Sequence, residues 1–349
     1  MTGKRKKTIV IISWILCACL LVSSVSLIVM YKTGVLFSGL VKLSVKGVVT
    51  QNVEDLYSAI LYNDSFTFTE RINMLKYNQY FVDNKYIECD RVCEKLATLT
   101  IENDSTLIEE GISGTYTVEG NILSFATARD RRNSLAHELN HSMQSEELSY
   151  EEYGWFIEGY TGLVTYEYFD EMDVGGYMLP FFVRGLCEIV GSEVIFQTDA
   201  KGDIDILKKA LTDKGVSEAT VEEAFNMFYE LWTSESYGET VTNKQKVKAI
   251  RILVEMYDVA NDYPEDIPET LYITSELVLG ESTETVYYLN SAKRSFGSIT
   301  GSSSSISSIS SGSNPVGENS TEYEWLYRED LLNYCDDIES GAIDEFMNS

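Results

Sequence analysis

An uncharged, apolar run near the N-terminus constrains the fold of this 349-residue chain more than any other feature. The run extends from Thr8 to Met30. As a helix it would measure roughly 34 Å, which is enough to cross a hydrocarbon layer of about 30 Å. It has no polar face, and this argues against a buried helix of a globular domain. The sequence therefore predicts a transmembrane helix at residues 8–30.

The residues around this run predict how the chain is oriented. Residues 1–7 contain four basic side chains, and such clusters stay on the cytoplasmic side. Two alternatives to an uncleaved anchor are a cleaved signal peptide, giving a secreted form, and a lipoprotein anchor at Cys19. The apolar run continues past Cys19 without a clear cleavage site, which favours the uncleaved anchor. We expect a single-pass cell-membrane protein with an extracytoplasmic body.

Charge and cysteine content exclude some classes of function. The net charge is −28 although residues 1–7 are basic, and so acidic a body repels nucleic acid. Nucleic acid is therefore not an expected partner. Cys89 and Cys93 have helical spacing, and we predict free thiols there, with a disulfide as the alternative.

Shifts in composition and periodicity predict seven segments. They are a basic cytoplasmic segment (1–7), the anchor (8–30), a juxtamembrane connector (31–50), a domain of helices and strands (51–179), a helical C-terminal subdomain (180–290), a Ser/Gly-rich linker (291–313) and an acidic, aromatic tail with one helix (314–349).

The sequence of residues 51–179 predicts a domain with an α+β fold. Helical patterns extend to about Leu96 and are followed by "ATLTIEN" and "GTYTVEGNILSFATA", which are rich in β-branched and aromatic residues. The second segment is broken at Glu119–Gly120, as in a tight hairpin turn. A helix capped by Asn133 or Ser134 should come next.

A second helix is predicted around "YEEYGWFIEGYTGLVTYEYF". Gly154, Gly159 and Gly162 lower its helix propensity but allow neighbouring backbones to approach closely.

The predicted helix after the hairpin contains both histidines of the chain, in "HELNH". His137 and His141 are four residues apart, so they project from the same side of a helix and can bind one cation. Glu138 lies about 100° round the helix from His137, where it can reach a metal-bound water. This H-E-x-x-H pattern supplies two metal ligands and a general base from one helical turn.

A third protein ligand has to come from elsewhere, because no third histidine exists. An acid, a thiolate or water could serve. Four acids follow the motif in a polar connection, at Glu146, Glu147, Glu151 and Glu152. Glu158 lies instead in "WFIEGYTGL", where a carboxylate is costly to bury unless it is paired or coordinated. Glu158 is the favoured ligand, and an exposed helix position is the alternative.

"HELNHSMQ" followed by "EGYTGLVTYEYF" resembles the gluzincin branch of zinc metallopeptidases, the thermolysin-like zincins. The resemblance covers about residues 95–170. It implies a zincin-like catalytic domain in which His137, His141 and Glu158 bind Zn²⁺ and Glu138 acts as general base. It also implies that "NILSFATA" is the strand that lines the cleft and pairs with extended substrate.

The chain departs from the thermolysin pattern at two places. Gly162 stands where those enzymes have an acid that orients a histidine, and no histidine is left to stabilise the oxyanion. By analogy with other gluzincins, a tyrosine would take this role. Tyr153 and Tyr160 flank Glu158, and Arg184 is a more distant candidate.

These patterns lead to one expected function and two alternatives. We expect a membrane-anchored, extracytoplasmic zinc metallopeptidase that hydrolyses a peptide or protein substrate. A surface binding or sensory protein could instead retain the scaffold without proteolysis. A structural metal site closed by a fourth protein ligand is the third possibility.

Overall fold

The computed structural model describes residues 3–32, 35, 51–169, 178–236, 241–264, 271, 332–333 and 335–336. The predicted linker at 291–313, most of the connector at 31–50 and most of the tail at 314–349 lie outside these residues. The chain divides into two compact units, Met1–Thr127 and Ala128–Ser349. The described residues are mostly helical with one small mixed sheet, in agreement with the predicted α+β class.

The N-terminal helix α1 spans Gly3–Lys32. The side chains described within it are those of residues 14–30, and large apolar ones such as Trp14 and Leu20 are exposed. Within the described parts of the chain, no helix combines the length and the apolarity that a membrane crossing requires. The anchor stays a prediction from the sequence.

The rest of the first unit contains short helices and strands. In chain order these are α2 (Gln51–Tyr62), α3 (Phe68–Asp83), α4 (Cys89–Thr98), β1 (Thr100–Asn103), α5 (Leu107–Glu110), β2 (Gly114–Thr117) and β3 (Ile122–Phe125). The helical pattern predicted from Gln51 to about Leu96 is confirmed.

Local sequence explains the helices of this unit. Apolar residues spaced by four place Leu56 and Ile60 of α2, and Val92 and Leu96 of α4, in the core. Helix α3 starts with a capping box between Thr67 and Glu70, which satisfies two backbone N–H groups.

The cysteines of α4 are thiols. Cys89 and Cys93 are unbridged, as the sequence predicted. Burial, with the charge of Asp55 as the next cause, raises the pKa of the Cys93 thiol to about 11.

The sheet has the order β1-β3-β2, with β1 parallel and β2 antiparallel to β3. The predicted hairpin is confirmed: Gly120, at the third position of the turn Val118–Asn121, has φ of +87°, as a type II turn requires. Strand β3 is central, and each of its four residues is paired on both sides. The expectation that this strand pairs with substrate is therefore wrong, because both its edges are already occupied.

The second unit is a group of helices. They are α6 (Ala128–Met143), α7 (Tyr150–Phe169), α8 (Leu179–Val190), α9 (Ser192–Lys201), α10 (Ile204–Asp213), α11 (Glu218–Ser236) and α12 (Asn243–Ala260). The predicted second helix and the helices predicted between residues 180 and 262 are confirmed. The predicted boundary between residues 179 and 180 falls inside this unit.

The start of α6 was predicted wrongly. The helix begins at Ala128, so the predicted caps Asn133 and Ser134 are interior residues. The arginines before them are good helix formers, and Asp130 in the first turn interacts favourably with the helix dipole. These residues extend the helix toward the N-terminus.

Helix α7 is the central element of this unit, and its glycines allow close packing, as predicted. A Cβ atom at Gly159 would lie 2.8 Å from the carbonyl oxygen of Leu179 in α8. One at Gly162 would lie 2.4 Å from Pro180 Cγ, and one at Gly154 would lie 2.2 Å from the Trp232 ring. Helices α8 and α11 therefore contact the α7 backbone directly.

Candidate metal centre

Helix α6 presents the two histidines on one side, as their spacing requires. Their rings are edge to face, with centroids 4.6 Å apart, and the Nε2 atoms of His137 and His141 are 3.0 Å apart. Both side chains are largely shielded from solvent, with exposed fractions of 11% and 15%. The helix thus directs two ring nitrogens toward one point.

Glu158 approaches the same point from α7. Its Oε2 lies 3.3 Å from His137 Nε2, and its Oε1 lies 3.5 Å from His141 Nε2. The three side chains form a group that could hold a metal ion, with ligand atoms within 4.8 Å of one another. Among the described residues, this group consists of the three side chains that the sequence predicted as metal ligands.

The electrostatics of the group are those of an ion pair. Burial would lower the pKa of His141, but the adjacent Glu158 carboxylate outweighs burial and raises it. Burial would likewise raise the pKa of Glu158, but the charge of His141 and hydrogen bonds from both histidines hold it well below its usual range. The site therefore favours a carboxylate facing positive charge.

Behind His141 lies a chain of buried polar groups. His141 Nδ1 is 2.7 Å from Gln144 Oε1, which also accepts a hydrogen bond from the Thr161 hydroxyl at 3.1 Å. The Thr161 hydroxyl accepts one from Asn140 Nδ2 at 3.2 Å. Gln144 Nε2 donates to Asp199 Oδ1 of α9 at 2.8 Å. Gln144, Thr161, Asn140 and Asp199 are all buried.

Tyr150, the first residue of α7, contacts the group through Glu158. Its hydroxyl donates a hydrogen bond of 2.6 Å to Glu158 Oε1. Its ring is edge to face with Trp232 of α11, with centroids 5.4 Å apart. Tyr150 is 53% exposed; partial burial and then the charge of Glu158 raise its pKa, so the phenol stays protonated.

Glu138 is buried on α6, with 6% of its surface exposed. Its negative charge is the smallest of the causes that raise the pKa values of His141 and Tyr150.

The structure places the other predicted candidates differently. The Tyr153 hydroxyl donates to Glu152 Oε1 at 2.6 Å, and both side chains line a surface cavity with Lys208. Tyr160 is fully buried between aromatic rings, stacked on Phe156 with centroids 6.0 Å apart. Arg184 is buried on α8. Their roles stay predictions from the sequence.

Sequence reasoning missed Tyr150, Gln144, Thr161 and Asp199. Helical spacing could have found two of them, because Gln144 and Thr161 each lie three residues after a ligand, on the same side of the helix. Tyr150 is eight residues before Glu158, and a kink at Tyr153 (φ −121°, ψ 23°) separates them. Asp199 lies 55 residues after Gln144, and no local pattern connects the two.

No protein-family model matches this chain, and neither a curated protein nor a solved structure matches it.

Proposed function

We propose that this chain is a zinc-dependent peptidase of gluzincin type, in which Glu138 acts as general base. The observation that carries the proposal is the convergence of His137, His141 and Glu158 from two helices, beside a buried Glu138. Two histidines and one glutamate are a ligand set typical of catalytic zinc.

The spacing of the ligand atoms fits zinc. Atoms bound at about 2.0–2.1 Å in a tetrahedral site lie about 3.3 Å from one another. The two ring nitrogens are 3.0 Å apart, Glu158 Oε2 lies 3.3 Å from His137 Nε2, and the other carboxylate oxygen, Oε1, lies 3.5 Å from His141 Nε2. The set of two nitrogens and one oxygen also matches the preference of Zn²⁺ for imidazole and carboxylate.

The number of ligands favours catalysis over a structural role. Structural zinc sites are closed by four protein ligands, whereas catalytic sites have three and leave one position open. The group has three members among the described residues. When bound at such a site, zinc lowers the pKa of a water molecule toward neutrality.

Glu138 is suited to accept the proton of that water. It follows His137 directly, so the helix holds its carboxylate beside the ligands rather than among them. Its low exposure keeps bulk water from competing for it. Glu138 can then return the proton to the leaving amine of the cleaved peptide.

Tyr150 is the residue we assign to the developing oxyanion. Its protonated hydroxyl already donates to a carboxylate oxygen in the site. The raised pKa keeps that proton available as a hydrogen-bond donor during hydrolysis. Trp232 holds the ring in place, so the donor is oriented before substrate binds.

The proposed location of the protein is based on the sequence of residues 1–30. The basic residues before Thr8 and the uncharged run after them predict an anchor with the body outside the cytoplasm. The substrate would be a peptide or protein that reaches the membrane surface.

The test is Glu138→Gln in the full chain, compared with the exposed Glu147→Gln as a matched control. We expect Glu138→Gln to bind zinc as the unmodified chain does and to lose at least about 100-fold of its activity on a peptide library, because no base remains. Glu147→Gln should retain full activity. Substantial turnover by Glu138→Gln would contradict the proposal. Tight zinc binding without chelator-sensitive cleavage by the unmodified chain would favour the binding or sensory alternative.

A further inference from the structure

The direction of the Gln144 side-chain amide determines which ring nitrogen of His141 faces the metal group. A neutral imidazole has one N–H and one lone pair, and only the lone pair can bind a metal. Gln144 Oε1 accepts but does not donate, and it lies 2.7 Å from His141 Nδ1. In the neutral ring the proton is therefore on Nδ1, and Nε2, which lies 3.5 Å from Glu158 Oε1 and 3.0 Å from His137 Nε2, has the lone pair; the protonated ring, which donates to Glu158, has an N–H at both positions.

Asp199 is the group that determines the direction of this amide. A carboxylate only accepts hydrogen bonds, so Gln144 must direct its Nε2 toward Asp199 Oδ1, at 2.8 Å. The main-chain oxygen of Ile157, at 3.4 Å from Nε2, favours the same direction. With the nitrogen directed to these two acceptors, the oxygen faces His141.

The surrounding structure supports this arrangement. The Thr161 hydroxyl donates to Gln144 Oε1 and accepts from Asn140 Nδ2, and its oxygen also lies 3.3 Å from His141 Nδ1, where it is a second acceptor for an Nδ1–H. Gly202, which ends α9 at φ of +61°, lets α9 approach the residue after Gln144: a Cβ atom there would lie 2.5 Å from Ser145 Oγ. This close approach holds Asp199 against Gln144.

We propose that Asp199 acts through Gln144 as a positioning residue that selects the Nδ1–H tautomer of His141 and so prepares Nε2 to bind the metal. The inference depends on the proposed metal site. Asp199 does not bond His141 directly; the Gln144 side-chain amide lies between the Asp199 carboxylate and the His141 ring. An isolated amide could flip, and Asp199 removes that freedom.

The direct test is the tautomer of His141 in the metal-free full chain, at a pH where both imidazoles are neutral. The chain has two histidines, so selective ¹⁵N-histidine labelling gives four ring-nitrogen signals, which His137→Gln assigns. We expect the unmodified chain to show Nδ1–H at His141. Asp199→Asn, which lets the amide turn, should shift the population toward Nε2–H. A predominant Nε2–H signal in the unmodified chain would overturn the proposal.

The second test exchanges donor and acceptor. Asp199→Asn should weaken zinc binding by about 10- to 100-fold, as measured by competition with a chromophoric chelator. The double variant Q144E/D199N puts a carboxylate next to His141 and an amide behind it, and we expect it to recover zinc affinity to within about threefold. Asp205→Asn, the same change at an exposed position of α10, should leave affinity unchanged.

The outcomes separate this inference from the proposed function. A weak single variant with no recovery in the double variant would mean that amide direction does not matter, and would overturn the inference. If Asp199→Asn does not fold, the inference is still tested by the His141 tautomer in the unmodified chain and by the zinc affinity of the double variant. A chain that shows the expected tautomers but neither binds zinc nor cleaves peptides would contradict the proposed function alone.

Discussion

Two contacts fix the position of Tyr150: its hydroxyl donates a hydrogen bond to Glu158, and its ring packs on Trp232. Tyr150→Phe removes the hydroxyl and keeps the ring. We expect it to bind zinc normally and to lower kcat by about 100-fold, because the oxyanion loses a donor. Steady-state kinetics with a peptide substrate measure the effect.

Matched substitutions make this test specific. The exposed Tyr263→Phe should have no effect. Tyr153→Phe and Tyr160→Phe test the two candidates chosen from the sequence. A loss in either of them larger than that in Tyr150→Phe would move the oxyanion role to that residue.

The His141–Glu158 pair predicts how stability depends on pH without metal. The pKa of His141 is raised, so its contribution to stability is complete below about pH 6.5 and is lost as the pH rises through the folded-state value. The pKa of Glu158 is depressed, so its contribution is present above about pH 4.5 and is lost as the pH falls through its folded-state value. With chelator, the part of the unfolding free energy that depends on this pair should be largest between these limits.

Zinc should reverse the trend above pH 6.5, because zinc binds neutral imidazoles and competes with protons. Thermal unfolding between about pH 6 and 8 should show a Tm gain from zinc that grows with pH. Subtracting the same data for His141→Ala removes the contribution of other titrating groups. A zinc-induced gain that shrinks with rising pH would contradict this account.

The three members of the group that could hold a metal were predicted from the sequence, because helix geometry alone brings His137 and His141 together and an apolar neighbourhood makes Glu158 unusual. Tyr160 lies about 200° round the helix from Glu158, so helix geometry does not bring these two side chains to the same side. Asp199 could not be predicted, because its contact with Gln144 depends on how α9 packs.

Helix α7 contributes Glu158 to the metal group, and Gly159, the next residue, packs against α8. Gly159→Ala would place a Cβ atom 2.8 Å from the Leu179 carbonyl oxygen and 2.6 Å from Val183 Cγ2. Since one of these atoms is backbone, α8 must move. We expect a loss of about 1–3 kcal/mol in the free energy of unfolding, measured by urea titration with chelator.

A substitution at an exposed position away from this packing contact is the control for this experiment. Glu230→Ala, at an exposed position of α11, should change stability by less than about 0.5 kcal/mol. If Gly159→Ala is as stable as the unmodified chain, the close packing of α7 on α8 is not as described.

Elements were predicted with unequal success, for physical reasons. The periodicity of α7 and of the helices between residues 180 and 262 is long enough to identify them. The N-terminus of α6 was placed too late, since a favourable cap residue can also lie inside a helix when its neighbours are good helix formers. The central position of β3 could not be predicted, because strand order depends on pairing between distant segments.

At the scale of the whole molecule, the sequence predicts a membrane-attached protein with an acidic body. If residues 1–30 form an uncleaved anchor, the full chain should sediment with membranes and stay there after alkaline carbonate extraction. Protease added outside intact cells should digest the body. Release by carbonate, or protection from external protease, would contradict the predicted location.

The two compact units can be compared with the domain boundaries predicted from the sequence. The boundary at Thr127 falls directly before the motif helix, and the ligand helices fold together with the helices after residue 179. The sequence predicted a boundary after the second of these helices, because the packing of α7 on α8 is not visible in composition.

The central claim is that His137, His141 and Glu158 bind one metal ion together. Elemental analysis of the purified full chain tests it most directly, after zinc loading and removal of excess metal. We predict about one zinc per chain, less than about a tenth of that in His141→Ala and in Glu158→Ala, and full content in the control Glu147→Ala. Full zinc content in either ligand variant, or none in the unmodified chain, would contradict the account.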